Sequence, residues 1–443
     1  MEDISPIKPA RARIDTFTSP FTRFARMEAS SGILLLAVTA VALIWANSPW
    51  QHTYHTVWET DVSLALGRSV LTWSRHLWVN DGLMSVFFFV VGLEIKRELL
   101  IGELSSIRQA TFPFLAALGG CLVPAALYLA VNHGTSQSHA WGIPMATDIA
   151  FALGVLALLG KRISLSLKLF VAALAIADDI FAVLVIAFFY TDQLHFNFLV
   201  FGSIGLAVAA LANWAGVRRP SVYACIGLPV WFFFMNSGVH ATIAGVLMSF
   251  TIPCKSEIDK PYFQFRMTRL INRFNAAEPN TNEANAAIHA MENICEGIQT
   301  PLHRIEHALQ PWVSFVVMPL FALSNAGVPV IGNLRAAVTS RVAIGVALGL
   351  LIGKPFGITA FSWAAEKIGI ATRPADTSWW QIFAASWVCG IGFTMSLFIA
   401  ALALPEGVIL DIAKIGTLAA SVVAGCIGCF FLLRSGPRPS PAA

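Results

Sequence analysis

The chain runs apolar, again and again, for about the length a helix needs to cross a lipid bilayer. A hydrocarbon core of ~30 Å takes roughly 20 residues at about 1.5 Å of rise each. Such runs lie near 32–47, 80–101, 110–131, 140–160, 165–190, 195–213, 221–235, 238–252, 304–327, 341–364, 378–402 and 411–433. Twelve spans is the expectation, in an all-α integral membrane protein embedded in lipid. Only 12% of the 443 residues are charged, against roughly 25% in soluble domains. So few charges cannot cover a chain that is 56% hydrophobic. The same figures exclude disorder, a collagen, a coiled coil and a basic nucleic-acid-binding domain. The cysteines (7) sit mostly inside the apolar runs and form no disulfide framework. Residues 1–31 show no apolar stretch followed by a cleavage site, so no removable signal peptide is expected and the first run is retained as a span.

Basic residues set the orientation. With both termini cytoplasmic, all but six of the 29 Lys and Arg fall on inside segments, including Lys96, Arg97, Arg108, Lys161, Arg162, Arg218, Arg219 and the group from Lys255 to Arg304. Merging 221–252 into one helix would carry that last group outside, against the positive-inside bias. The expected organisation is a cytoplasmic segment 1–31, spans 1–8 over 32–254, a cytoplasmic loop 255–303, spans 9–12 over 304–433 and a cytoplasmic tail 434–443. The loop is rich in Asn, Glu, Ala and Arg and reads as partly helical with no core of its own. Residues 48–79 form the longest outside loop, where the β-leaning His52-Thr53-Tyr54-His55-Thr56-Val57-Trp58 predicts a hairpin near 48–60.

Charges inside the spans are costly, about 2.5–3.5 kcal/mol each on insertion scales, and point to function. Ala177-Asp178-Asp179-Ile180 lies midway along 165–190, too deep for an Asp to reach either surface. Adjacent residues differ by about 100° around a helix, so one carboxylate can line a cavity while the other meets a neighbouring helix. Lys354, near the midpoint of 341–364, is the obvious counter-charge. Gly345, Gly349 and Gly353 lead up to it as a seam of close approach, and Pro355 removes a backbone donor just after it.

Two spans read as interrupted. Gly142-Ile143-Pro144-Met145-Ala146-Thr147-Asp148 breaks span 4, and Cys389-Gly390-Ile391-Gly392-Phe393-Thr394-Met395-Ser396 breaks span 11. Unwound backbone at membrane depth survives only within protein or facing water, and half-helix ends there present partial charges to ions. Spans 4 and 11 are the middle members of spans 3–5 and 10–12, which the topology makes inverted repeats. A third cluster, Glu94, Lys96, Arg97, Glu98 and Glu103, ends span 2 and reads largely as a solvated helix end. Three tempting motifs are declined. His303-Arg304-Ile305-Glu306-His307 matches a short metalloprotease pattern but brings no further acidic ligand. Cys426-x-x-Cys429 is embedded in apolar residues, and Gly353-Lys354 lacks the rest of a nucleotide loop. No cofactor is expected, and no metal beyond a transported ion.

The stretches MATDIAFALG (145–154), AALAIADDIFAVLVIA (172–187), SGVHATIAGVL (237–247), PLFALSNAGV (319–328), GKPFGI (353–358) and CGIGFTMSLFIA (389–400) resemble the NhaA-type bacterial sodium/proton antiporters, in that family's order, from about residue 20 to 433. The resemblance implies a twelve-helix antiporter of the bacterial inner membrane, with crossed, discontinuous helices 4 and 11. It implies that Asp179 is the principal cation ligand, that Asp178 ligates or pairs with Lys354, and that Thr147 and Asp148 balance the half-helix ends, with Pro144, Gly390, Gly392 and Thr394 shaping the breaks. It further implies alkaline activation through Glu94, Lys96, Arg97, Glu98, Glu306 and His307, and a homodimer formed through the 48–60 hairpin. The chain departs from the pattern in its long 255–303 loop and at Gln310, where a second His is expected. The expected activity is exchange of intracellular Na+ or Li+ for external H+, probed against two rivals: a cation channel, and an intramembrane aspartyl protease pairing Asp148 with Asp178 or Asp179.

Overall fold

The computed structural model describes residues 30–66, 69–191, 194–256, 258–278, 281–374 and 376–435. The segment 1–29 and most of the 434–443 tail lie outside the described residues. In chain order the elements are α1 (Ser30–Ala46), α2 (Gln51–Glu59), β1 (Asp61–Leu66), β2 (Ser69–Ser74), α3 (Arg75–Leu100), α4 (Ile107–Asn132) and a broken α5 (Ser138–Leu158). There follow α6 (Leu165–Phe189), α7 (Phe196–Trp214), α8 (Pro220–Met235), α9 (Ala241–Thr251), α10 (Lys260–Ala276), α11 (Asn282–Ile298) and α12 (Pro301–Asn325). The chain closes with α13 (Val330–Thr339), α14 (Arg341–Ile368), α15 (Trp379–Val388), α16 (Phe393–Ala403) and α17 (Val408–Arg434).

Among the described residues, 8 helices are long and apolar enough to cross a membrane, or 10 if each of two bent pairs counts once. The bent pairs are α1 with α2, at 112°, and α15 with α16, at 52°. Helices α8 and α9 occupy the places of the seventh and eighth expected spans, with 16 and 11 residues. At about 1.5 Å per residue they rise only ~24 and ~17 Å, so helix length alone does not give the count of twelve. Large apolar side chains such as Phe188, Phe201, Leu211, Phe356 and Val422 remain exposed on the outer faces. A surface of that kind suits lipid or a protein partner rather than water.

The hairpin is displaced from its expected place. Residues 51–59 are helical, and the two strands follow them, antiparallel, with Asp61 opposite Ser74 and Leu66 opposite Ser69. Tertiary packing overrides the β-leaning composition of 52–58. Tyr54 and Trp58, one helical turn apart, face inward, and the Tyr54 hydroxyl donates to the carbonyls of Leu323 (2.8 Å) and Ser324 (3.0 Å) at the end of α12. The strands fall instead where small and apolar residues alternate, on either side of Gly67-Arg68.

The glycine seam of α14 sits against α4, with Pro144 of α5 beside it. A methyl group on Gly353 would lie 2.6 Å from Pro124 Cα, and one on Gly349 would lie 2.5 Å from Pro144 Cβ. A π-turn at Gly349–Gly353 leads into Lys354, and Pro355 then withholds a backbone donor. Close approach and local unwinding together carry the lysine into the centre of the bundle. Gly353→Val must push α14 off the Pro124 backbone, an overpacking cost of about 1–3 kcal/mol or more. It should cut the yield of monodisperse protein in detergent, whereas Ile352→Val, on an exposed neighbour, should leave it unchanged. Equal yields would remove the seam from the account.

A candidate ion-binding centre at two crossed helix breaks

Asp178 and Asp179 are both buried on α6, and their surroundings differ completely. Lys354 Nζ lies 2.6 Å from Asp178 Oδ2, with both side chains out of contact with solvent. The Cys121 thiol of α4 donates to Asp178 Oδ1 at 3.1 Å. Asp178 is therefore held on both oxygens. Among the described residues no group donates to either oxygen of Asp179. A buried carboxylate without donors is strongly disfavoured as a bare anion, so it calls for a proton or a cation.

The two breaks meet beside this pair. In α5 the helix stops at Met145, residues 146–148 are extended, and Ile149 restarts it. Between α15 and α16, residues 389–392 are unwound. The Asp148 amide donates to the Ile391 carbonyl at 2.8 Å. Its carboxylate accepts the Phe151 amide (3.1 Å) on Oδ1, and the Thr394 amide (3.1 Å) and Thr394 hydroxyl on Oδ2. One side chain thus caps the N-termini of two half-helices, whose partial positive charges favour an anion. The opposite ends receive hydroxyls. Thr147 donates to the Cys389 carbonyl at 2.8 Å, and Ser396 to the Ile143 carbonyl at 2.7 Å. Ser421 of α17 accepts the Phe393 amide at 3.1 Å. Pro144, Gly390 and Gly392 shape the crossing: a methyl group on Gly390 would lie 2.7 Å from the Leu350 carbonyl oxygen.

At the far end of α3 the expected cluster assembles around Arg97. Its guanidinium pairs with the buried Glu306 of α12, meets Glu98 at 3.1 Å and approaches Glu94 at 4.0 Å. Lys96 does not join them. Its ammonium reaches the Phe250 (2.6 Å) and Ile252 (2.5 Å) carbonyls and so closes the C-terminus of α9. His307 lies parallel to His303, with ring centroids 6.2 Å apart. The solvated-end reading of this cluster is therefore too simple, since Lys96 and Glu306 are both buried.

Sequence reasoning placed Asp148, Thr147, Asp178, Asp179, Lys354, Thr394, Gly390 and Gly392 in one region, and they lie there. It missed Cys121 and Ser421, and it named Ser396 only within the break of span 11, not its bond to the Ile143 carbonyl. A small polar residue in an apolar helix usually bonds its own preceding turn, so nothing in the sequence marks these three as bridging to another helix.

A many-helix membrane bundle whose middle holds an unpartnered carboxylate, a sealed ion pair and two interrupted helices has the architecture of a secondary ion transporter. The family described as Na+/H+ antiporter 1 matches residues 22–432, and the chain belongs to that family. The Na+/H+ antiporter NhaA of Koribacter versatilis is 57% identical over 435 residues, covering 97% of this chain and 96% of that protein. The corresponding proteins of Oleidesulfovibrio alaskensis (48%, 95% of each chain) and Wolinella succinogenes (45%, 92% of each chain) are also similar over nearly their whole lengths.

Proposed function

We propose that the chain is a sodium/proton antiporter of a bacterial inner membrane, exchanging intracellular Na+ or Li+ for external H+. The observation that carries this reading is Asp179, a buried carboxylate with no donor among the described residues, placed beside a sealed Asp178–Lys354 pair. Na+ and Li+ are hard cations that take oxygen ligands. Asp179 supplies two such oxygens, and the unwound backbone nearby adds carbonyls. A proton satisfies the same oxygens, so cation and proton compete for one place. Two protons taken per Na+ make the cycle electrogenic, and rocking of one bundle against the other alternates access.

Twelve crossings, with α8 and α9 as the seventh and eighth, put both termini and the 255–303 segment in the cytoplasm, in line with the positive-inside bias. Spans 3–5 and 10–12 are then inverted repeats, each broken in its middle helix. The β1–β2 hairpin is the proposed homodimer contact. Asp148 is engaged as a double helix cap, which argues against its pairing with Asp179 in a protease.

The test is counterflow in proteoliposomes. With an acidic lumen imposed, external NaCl or LiCl should discharge the pH gradient in a saturable way, and KCl should not. A gradient that survives NaCl at every alkaline pH overturns the proposal, and unsaturable, uncoupled Na+ flux replaces it with a channel.

Alkaline activation is assigned to Glu94, Lys96, Arg97, Glu98, Glu306 and His307, because Arg97 ties the end of α3 to Glu306 of α12, where His307 follows, and Lys96 ties it separately to α9. Glu306→Gln keeps the packing but gives up a charge facing Arg97. It should move the pH of half-maximal exchange by at least about half a unit, or ~0.7 kcal/mol, while keeping the maximal rate. An unchanged pH profile would release these residues from regulation.

A further inference from the structure

The segment between α9 and α12 folds as a two-helix hairpin whose first helix is left without a partner on one side. Helix α10 carries Lys260, Arg266, Arg269 and Arg273 and no acidic residue, and none of its residues is buried. Its main packing partner is α11, beside which Phe263, Met267 and Leu270 are partly covered. On the remaining face Tyr262, Phe265, Arg266, Arg269 and Arg273 recur at helical spacing and form one stripe. Tyr262 and Phe265 are 50% and 59% exposed. Arg266 lies over the Tyr262 ring at 5.7 Å, and Arg269 over the Phe265 ring at 5.3 Å.

Helix α11 offers three carboxylates, Glu283, Glu292 and Glu296, and among the described residues none of them forms an ion pair with this stripe. Glu296 pairs with Arg304 of α12 at 2.7 Å and Glu292 with His289 at 3.1 Å. Among the described residues none of the three arginines of α10 forms an ion pair. The root of the hairpin is fixed where the apolar helices stop. The Ile258 amide donates to the Gly297 carbonyl and the Leu302 amide to the Pro253 carbonyl, both at 3.2 Å, while Arg218 donates to the Lys255 carbonyl at 2.6 Å.

We propose that α10 lies on the membrane as an interfacial helix and binds the anionic phospholipid surface beside the transporter through Tyr262, Phe265, Arg266, Arg269 and Arg273. The charge complement is direct: unpaired cations on one helix face meet phosphate-bearing headgroups, and the two aromatic rings enter the interface between them. The guanidinium–ring contacts of Arg266 and Arg269 keep these two side chains along the stripe. An acidic protein would satisfy the charges equally well. The fixed root at the ends of two apolar helices favours the lipid, which is already adjacent. The inference does not depend on which ions the chain carries.

Hydrogen exchange of the full chain in nanodiscs tests it. Residues 260–276 should exchange at least about threefold more slowly in nanodiscs containing phosphatidylglycerol than in pure phosphatidylcholine. The protection should vanish in 1 M KCl and in the Arg266→Glu/Arg269→Glu/Arg273→Glu variant. That variant should retain the wild-type exchange pattern over 165–189, which shows that it is folded. Equal exchange in the two lipids overturns the proposal. So does equal protection on adding inorganic phosphate to neutral nanodiscs, which would make the stripe a free-anion site. Protection that appears only when cytosolic protein is added would assign the face to a protein partner and overturn it as well.

Discussion

Asp179→Asn abolishes Na+-dependent proton exchange, leaving less than about one-hundredth of the wild-type rate, equivalent to ~2.8 kcal/mol or more. The substitution preserves shape and removes both the charge and the exchangeable proton. Among the described residues neither Asp179 oxygen has a donor, so the substitution breaks no hydrogen bond seen there and the fold should be kept. The expected result is therefore an intact protein, eluting as wild type in detergent, that neither binds Na+ nor discharges a pH gradient in proteoliposomes. Asp178→Asn should behave differently, because it disturbs the pair with Lys354 as well. Substantial exchange by folded Asp179→Asn would move the cation site elsewhere.

Lys354→Met destabilises the fold by about 3–5 kcal/mol, because it leaves a buried charge without its partner. Asp178 would keep only the Cys121 thiol, a weak donor 3.1 Å away. The second substitution is the informative one. Lys354→Met/Asp178→Asn removes both charges from an environment that penalises each alone, and should recover more than half of the lost stability. Thermal denaturation midpoints in detergent, compared at one scan rate, read this directly. Equal midpoints for the single and double variants would show that the 2.6 Å pair is not what holds α6 to α14.

The legible part of this chain was the part that violates the chemistry of the bilayer. Asp178, Asp179 and Lys354 stand out because an ion in an apolar run needs a reason, and Asp148 stands out because it follows a proline in a span. The breaks were legible for the same cause, since Gly390, Gly392 and Pro144 weaken a helix where lipid permits no loose backbone. What was hidden is whatever depends on a distant neighbour. Cys121 and Ser421 look like small packing residues until the helices opposite them are in place, and Ser396 shows its break but not its partner across the crossing. Lys96 read as one more charge in a solvated cluster, although it closes α9 from across the fold. The hairpin was misplaced by about ten residues, because the composition of 52–58 says strand while Tyr54 anchors that segment to α12 as a helix.

Asp148 and Thr394 are 246 residues apart in the chain. During synthesis the first interrupted helix thus leaves the ribosome long before its stabilising counterpart exists, and its exposed stub must wait in the bilayer until the penultimate segment arrives. Truncated products ending before residue 379 should accordingly be recognised and degraded by membrane quality control, although they contain both central aspartates and the lysine.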